Sequence, residues 1–523
     1  MPIDEQKIFT INIIQVFYVS PDGNDNWDGS LEYPWRTINK ANTTLLPGQT
    51  VLIREGTYQE TISPVNSGGL GNYITYKNYP NETVIIRDVQ QGANLVNKSY
   101  IEIDGLTFTN TSLNWIRMNN TGGGSSDYNI IQNCDFTKNN EFAGFYLRKA
   151  SYNKIIDNTF DGADAEIIEQ DFIYIRNNAT HNLIQGNDFG DAKHGCLNIV
   201  GDGGTTEYGE GPRYNIVRDN YFHTTLHTAL LVEMNAYHNL VENNIIFENS
   251  IDTDNHVAAG LQLDATANII RNNVIYNGRY DGLILNAYYY QGTFKHCNNN
   301  RIYNNTIYGN GGNWYYPAQG DPYLFGGGHQ TNTLEPITNN ILKNNIFYKN
   351  RSEEHDVQNI LYFSSNPVNE KNIFSHNIIM QNQAGDAQIK WCGNTLRTLN
   401  WVQSNYPSLW FNNIDVDPMF TNPEAGDFTL QPSSPAVDAG DWLTYIVGSG
   451  TGTQITVEDA GYFCDGFELI DGDMIKVGSN QIIKIININY NTNIITVDTS
   501  INWNDGDPVS LPYQGNRPNI GVG

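Results

Sequence analysis

Between Asn129 and Ile379 the chain keeps returning to one eight-residue phrase: Asn, a mostly apolar pair, two variable residues, a second Asn, one variable residue, then Phe or Ile. Copies begin at Asn153, Asn182, Asn215, Asn239, Asn268, Asn300, Asn340 and Asn372, and an earlier one at Asn129 has Cys134 in place of the second Asn. Successive copies lie 24 to 40 residues apart. A repeat of this length, apolar at strand spacing and without a helical stripe, is one coil of a parallel β-solenoid. A single coil cannot bury its own Ile, Leu, Val and Phe side chains, so coils must stack at the inter-strand spacing of about 4.8 Å. The Asn then falls at the same turn in every coil, forming an asparagine ladder in which each amide bonds the Asn above and below. Asn also tolerates the left-handed backbone that a sharp turn needs, so the ladder Asn itself is expected to take it. A disordered Asn-rich chain would not hold apolar residues at fixed steps on either side of the second Asn.

A solenoid grows along one axis, so 523 residues need not divide into several globular domains. The net charge of −27 argues against nucleic acid, whose phosphates would be repelled. It also leaves carboxylates for Ca²⁺, a hard ion that takes oxygen ligands, although solubility alone would favour the same charge. The five cysteines (Cys134, Cys196, Cys297, Cys392 and Cys464) are scattered without a Cys-x-x-Cys pair, so neither a zinc site nor a disulfide framework is expected. No apolar run approaches the length of a membrane-spanning helix. The start, Met1 to Lys7, lacks the charged-then-apolar order of a signal peptide, and the expectation is an extracellular or cell-surface protein whose leader has been removed.

Residues 17–58 read as strand, Gly/Asp-rich loop, short helix and strand. Thr37 is placed to cap the helix, with Ile38, Ala41 and Leu45 on one face, and such a helix would cover the open end of the solenoid. With Asn66–Pro80, Asp417–Phe420, Gly426–Gly440 and Pro518–Gly521, this opening resembles the secreted right-handed parallel β-helix proteins of the pectin-lyase-like group. That group includes polysaccharide lyases, β-helix glycoside hydrolases and surface proteins. The resemblance spans nearly the whole chain and implies a carbohydrate-active protein, but its motifs carry no catalytic residue. Residues 446–509 differ, with alternating runs such as Met474–Val477 and Ile494–Val497 between Asp-Gly and Gly-Ser-Asn turns, the pattern of antiparallel strands. The chain thus divides into a cap with first coils (1–95), the Asn-phrase β-helix (96–445), a small antiparallel β module (446–509) and a β-helix tail (510–523).

In a β-helix the outward residues of equivalent strands form columns on one face. Aligning the strands that precede each Asn phrase by their inward pairs (Phe145/Leu147, Ile173/Ile175, Leu197/Ile199, Leu230/Val232, Leu261/Leu263, Leu283/Leu285) gives two columns. One reads Arg148, Arg176, Val200, Glu233, Asp264, Asn286, and the other Tyr146, Tyr174, Asn198, Leu231, Gln262, Ile284. Glu233 and Asp264 would then stand on adjacent coils about 5 Å apart, near the carboxyl separation of a retaining glycosidase. Like charges so close should raise one pKa, as an acid and nucleophile pair requires. The same carboxylates, with Asp202, could instead hold Ca²⁺, or they could splay apart as solvated groups. His194 and His227 form a second stack, and Lys193 flanks the first. A lyase needs a base for the proton α to a uronate carboxylate and a cation to hold that carboxylate, roles that Lys193, His194 or His227 and Arg148 or Arg176 can meet. A stacked His pair bonded to loop backbone serves equally as plain structure. Asn198, Gln262, Asn286, Tyr288, Tyr289 and Trp314 are candidate sugar contacts, since flat rings with polar edges suit sugar faces, although the same rings can simply pack a long loop.

Three readings follow. The first is a glycoside hydrolase using Glu233 and Asp264, favoured slightly because an acidic protein repels an anionic glycan. The second is a Ca²⁺-dependent polysaccharide lyase using Lys193 or His194 with Arg176. The third is a non-catalytic adhesin, tailspike-like or surface-layer protein. All take a polysaccharide or oligosaccharide as partner, on a monomeric rod of roughly a dozen coils, with no organic cofactor.

Overall fold

The computed structural model describes residues 15–139, 143–163, 171–201, 211–249, 259–279, 281–287, 289–290, 293–294, 296–311, 325–327, 337–350, 360–362, 367–392, 395–478 and 481–522. At 289–290, 293–294, 325–327, 361–362 and 481 only the backbone is described. Among these residues the chain winds into a parallel β-helix with three walls of 14, 12 and 12 strands. The first half of each Asn phrase lies in the first wall (Lys154–Ile156, Leu183–Gln185, Ile216–Arg218) and the second half in the second wall (Thr159–Asp161, Asp188–Gly190, Tyr221–His223). The strand that precedes each phrase lies in the third wall (Ala143–Arg148, Asp171–Arg176, Leu197–Val200, Leu230–Tyr237, Ala259–Thr266, Asp281–Ala287). At the N-terminal end the helix Ile38–Thr44 buries Ile38 and Ala41, with Leu45 just beyond, and the Thr37 side chain accepts from Lys40 N–H.

Asn side chains close the corners. The backbone N–H and Nδ2 of Asn153 both donate to Oδ1 of Asn182, each at 3.1 Å, and Asn182 repeats this to Asn215 and Asn215 to Asn239. A parallel stack runs through Asn158, Asn187, Asn220 and Asn244, whose Nδ2 groups also donate to carbonyls one coil back, such as Asn187 to Ile155. Cys134 joins that stack through its backbone N–H, which donates to Asn158 Oδ1. A third, shorter series links Gly278, Asn310 and Asn350. Buried amides are costly unless paired, and here each carbonyl oxygen serves two donors.

The left-handed backbone falls one residue earlier than the sequence suggested. Tyr128, Tyr152, His181, Tyr214, His238 and Ala267 have φ between 52° and 60°, whereas the stacked Asn that follows each does not. The preceding residue makes the bend, and this frees the Asn to face inward and hold its neighbour's backbone. Each such bend costs about 1–2 kcal/mol. The amide bonds offset that, as does a row of rings. Tyr100, Tyr128 and Tyr152 stack with centroids 4.9 and 4.8 Å apart, and the row continues through His181 and Tyr214 to His238. Inside the helix, Phe108, Phe136, Phe160, Phe189 and Phe222 form a second row at 4.7 to 5.1 Å.

The antiparallel sheet near the C-terminus has six strands, ordered Thr444–Tyr445, Pro508–Ser510, Met474–Val477, Gln481–Asn489, Ile494–Trp503 and Gly450–Thr456. It lies against the first wall, sharing a core with Leu183, Ile216, Leu240, Ile269 and Tyr303. Arg271, buried between the two, gives Nη2 to Glu242 and Asp473 at 2.6 Å each and Nη1 to Asp473 at 2.6 Å. Arg271 thus has two carboxylates for one guanidinium, whose attraction offsets the large desolvation cost of burying the charge. Among the described residues the five cysteines are unpaired, with Cys134, Cys196, Cys297 and Cys464 buried. No helix there is long and apolar enough to cross a membrane.

Candidate functional site

The third wall carries the candidate site residues, and its outward positions change from coil to coil. Its inward pairs are all buried, so the alternation of the strand fixes which residues point outward. The register runs Arg117, Tyr146, Tyr174, Asn198, Leu231, Gln262, Ile284 in one column and Asn119, Arg148, Arg176, Val200, Glu233, Asp264 in the next. Glu233 and Asp264 are therefore direct neighbours on adjacent strands. The outward face is less open there than an alternating strand implies: Asp264 is 0% exposed, Glu233 9% and Asn198 4%. The Asp264 Oδ2 accepts from Gln262 Nε2 at 2.8 Å. Asn286 is half-buried one coil further.

A second group gathers around Asp171, which the sequence reading missed. Its carboxylate is wholly buried and takes three donors: His194 Nδ1 at 2.7 Å, Gly195 N–H at 2.9 Å and Asn198 Nδ2 at 2.8 Å. A buried carboxylate is tolerated only when its lone pairs are filled in this way. An ionised carboxylate can only accept, so Nδ1 carries the proton, and in the neutral imidazole Nε2 is the acceptor; the His194 side chain is 35% exposed. Gly195 makes the contact feasible, since a Cβ there would lie 2.9 Å from Asp171 Oδ1 and 3.0 Å from Asn198 Oδ1. The His227 ring sits 4.9 Å from that of His194, and it is buried. Lys193, on the preceding residue, is half-buried.

Next along the columns stand Tyr146 and Tyr174, stacked at 6.3 Å, and Arg148 and Arg176 in matched positions. The Arg176 guanidinium lies 5.3 Å from the Tyr174 ring centre and donates from Nε to Asn177 Oδ1. Burial pushes the Tyr174 hydroxyl up to about 12, with Arg176 pulling against it and Glu233 and Asp171 adding to the rise, so it stays protonated. Arg117 stands one coil earlier in the neighbouring column, in register with Tyr146, while Asn119 holds the place level with Arg148. Neither Arg117 nor Arg148 forms an ion pair among the described residues. Both omissions had a signal: Asp171 lies two residues before the inward Ile173, and Arg117 lies between the inward Ile116 and Met118, so the same alignment carried one step further exposes each.

Asp202, Tyr288 and Trp314 lie outside the described residues, and Tyr289 is described only in its backbone, within Tyr289–Tyr290. Among the described residues no group of three or more His, Cys, Asp or Glu side chains gathers as a metal site.

A face of this kind on a stack of three-walled coils defines a right-handed parallel β-helix protein. Residues 17–170 match the family model described as Pel9A-like, right handed beta helix region, which takes in Arg117 and Arg148 and ends one residue before Asp171. The uncharacterized protein YwoF of Bacillus subtilis (strain 168) is 40% identical over 108 residues, 18% of this chain and 22% of that protein. The chain thus spans about a fifth of the length of this relative. Among solved structures, the pectate lyase Pel9A is 15% identical with a TM-score of 0.43, covering 84% of this chain and 95% of that one. A mannuronic acid specific family 6 lyase from human gut microbiota is 13% identical with a TM-score of 0.49, covering 79% and 93%. The family 136 lacto-N-biosidase of Eubacterium ramulus is 12% identical with a TM-score of 0.44, covering 73% and 66%.

Proposed function

We propose that this protein cleaves a uronate-containing polysaccharide by β-elimination on the third wall. The observation that carries this reading is the Asp171–His194 pair beside a run of arginines in a chain of net charge −27. Arg117, Arg148 and Arg176 are a local cationic strip that a neutral glycan does not need, whereas a uronate carboxylate does. His194 Nε2 takes the proton on the carbon α to that carboxylate, and the electron pair forms the new carbon–carbon double bond. The glycosidic bond to the β carbon breaks, and the departing oxygen takes a proton, for which the Tyr174 hydroxyl stands in the adjacent column. Atoms balance without any co-reactant. Arginines at the carboxylate stabilise the charge that develops as the proton leaves. Were Ca²⁺ to take part, Glu233 and Asp264 would hold it, and it would supply further positive charge for a uronate carboxylate.

Hydrolysis by Glu233 and Asp264 is the second reading, supported by their matched register. It needs one carboxyl group to reach the leaving oxygen, and the burial of both weighs against it. Incubation with a panel of uronate and neutral polymers separates the two. Ultraviolet absorbance of an unsaturated uronate together with new reducing ends is the expected result. Reducing ends alone would overturn elimination in favour of hydrolysis, and neither signal would leave a binding protein.

A further inference from the structure

Where the antiparallel module meets the first wall, a cavity of about 350 Å³ lies against the row of rings at the left-handed corners. That volume is within the range of ordinary small-ligand sites, about 300–1,000 Å³. The ring row reaches His238 and the next coil breaks it: the corresponding residue is Ala267, and the one after is Asn299. Tyr490 of the module stacks on His238 at 5.5 Å, and the missing side chain leaves the space beside it open. Burial holds the His238 imidazole down at about 4, so near neutral pH it is an uncharged ring.

The polar groups on the lining are not all used. Arg301 Nε is paired with Asp459 at 2.7 Å and Nη1 donates to the Asn299 carbonyl, while no described group takes Nη2. The Asn299 amide and the exposed Glu458 carboxylate likewise have no hydrogen-bond partner among the described residues. The rings of His238, Tyr490 and Phe467 on the lining, a small apolar floor of Ala267 and Ile269, and a rim with one guanidinium N–H, one amide and one carboxylate match the apolar body and hydroxyl edge of a sugar. The Arg301 and Asp459 charges cancel, so Glu458 leaves the cavity with one net negative charge. It would repel a uronate and accept a neutral sugar.

We infer that this junction is a second, non-catalytic saccharide site, selective for neutral sugar units carried by the polymer that the third wall acts on. The inference rests on the carbohydrate reading above for its ligand class. The test uses isothermal titration of the full chain with neutral gluco-, galacto-, manno- and xylo-oligosaccharides and with a uronate oligosaccharide series. Ala267→Tyr fills the cavity, and the backbone accepts it because Tyr already occupies that conformation at Tyr128, Tyr152 and Tyr214. The expected result is binding of at least one neutral series that Ala267→Tyr weakens by about tenfold or more and Glu458→Gln by several-fold. Both variants should keep wild-type cleavage of short uronate chains. Neutral binding untouched by Ala267→Tyr would overturn the site. So would uronate cleavage with no neutral binding, which leaves the proposed elimination standing. Neither binding nor cleavage of any saccharide would overturn both.

Discussion

The first two walls and the third wall are made from the same coils, yet they vary in opposite ways. In the first two, three-residue strands repeat with little change from Asn153 to Asn377, and the side chains that recur are those that bond one coil to the next. In the third, strands run from three to eight residues, and the outward column passes from arginine through valine to carboxylates. Repetition marks what the stack needs to stand. Variation on the same scaffold marks where a residue answers to something other than its neighbours.

That contrast can be broken by mutation. The largest effect is expected from His194→Ala, which should lower turnover of a uronate polymer by about 10²–10⁴-fold in the folded fraction, measured as the rate of unsaturated product, with a loss of about 1–3 kcal/mol in stability because Asp171 loses one donor. Asp171→Asn, which keeps the shape but lets the imidazole take the wrong tautomer, should cost a loss of similar order in kcat. Full turnover by the folded fraction of either variant would mean that the pair is structural after all. In the repeating walls the opposite is expected. Asn220→Ala removes the acceptor for Asn187 and the donors to Asn244 and Ile184, and should cost about 3 kcal/mol in denaturant unfolding while the folded fraction keeps full turnover.

The corner between the walls gives a pH test. His238 titrates near 4 in the folded chain, below its ordinary 6.5, so the unfolded state binds more protons between those values. Its contribution is present above pH 6.5 and is lost as pH falls toward 4, on the order of 3 kcal/mol in full. Against His238→Tyr, the wild type should therefore lose stability selectively over that window, as followed by thermal unfolding. The smallest effect is expected from Arg148→Gln, a few-fold rise in KM for a uronate polymer that shrinks as salt is added, since a half-buried cation still open to solvent contributes mainly through screened attraction.

How much was legible follows the same division. The stacked coils, the apolar pairs and the Glu233–Asp264 register could be read because each depends on a step that recurs. The ring row at Tyr128, Tyr152, His181, Tyr214 and His238 was equally periodic and went unread, because Tyr and His do not look like one class until their shared backbone is seen. Asp171 was missed for a different reason. Its partners, His194 and Asn198, come from the next coil, and its equivalents Ala143, Gly195 and Thr228 share no chemistry with it. The closing of the wall over Asp264 was also invisible, because strand alternation predicts direction and not what lies above.

The Arg271 clasp has a mechanical consequence. A stack whose coils touch only their neighbours can peel open from either end, one turn at a time. Asp473 and the shared core rivet the antiparallel module sideways across the strands around Leu183, Ile216, Leu240, Ile269 and Tyr303, so those turns are braced together. Fraying that begins at either tip therefore meets a splinted middle segment, and the coils bearing Asp171, His194, Glu233 and Asp264 lie within it.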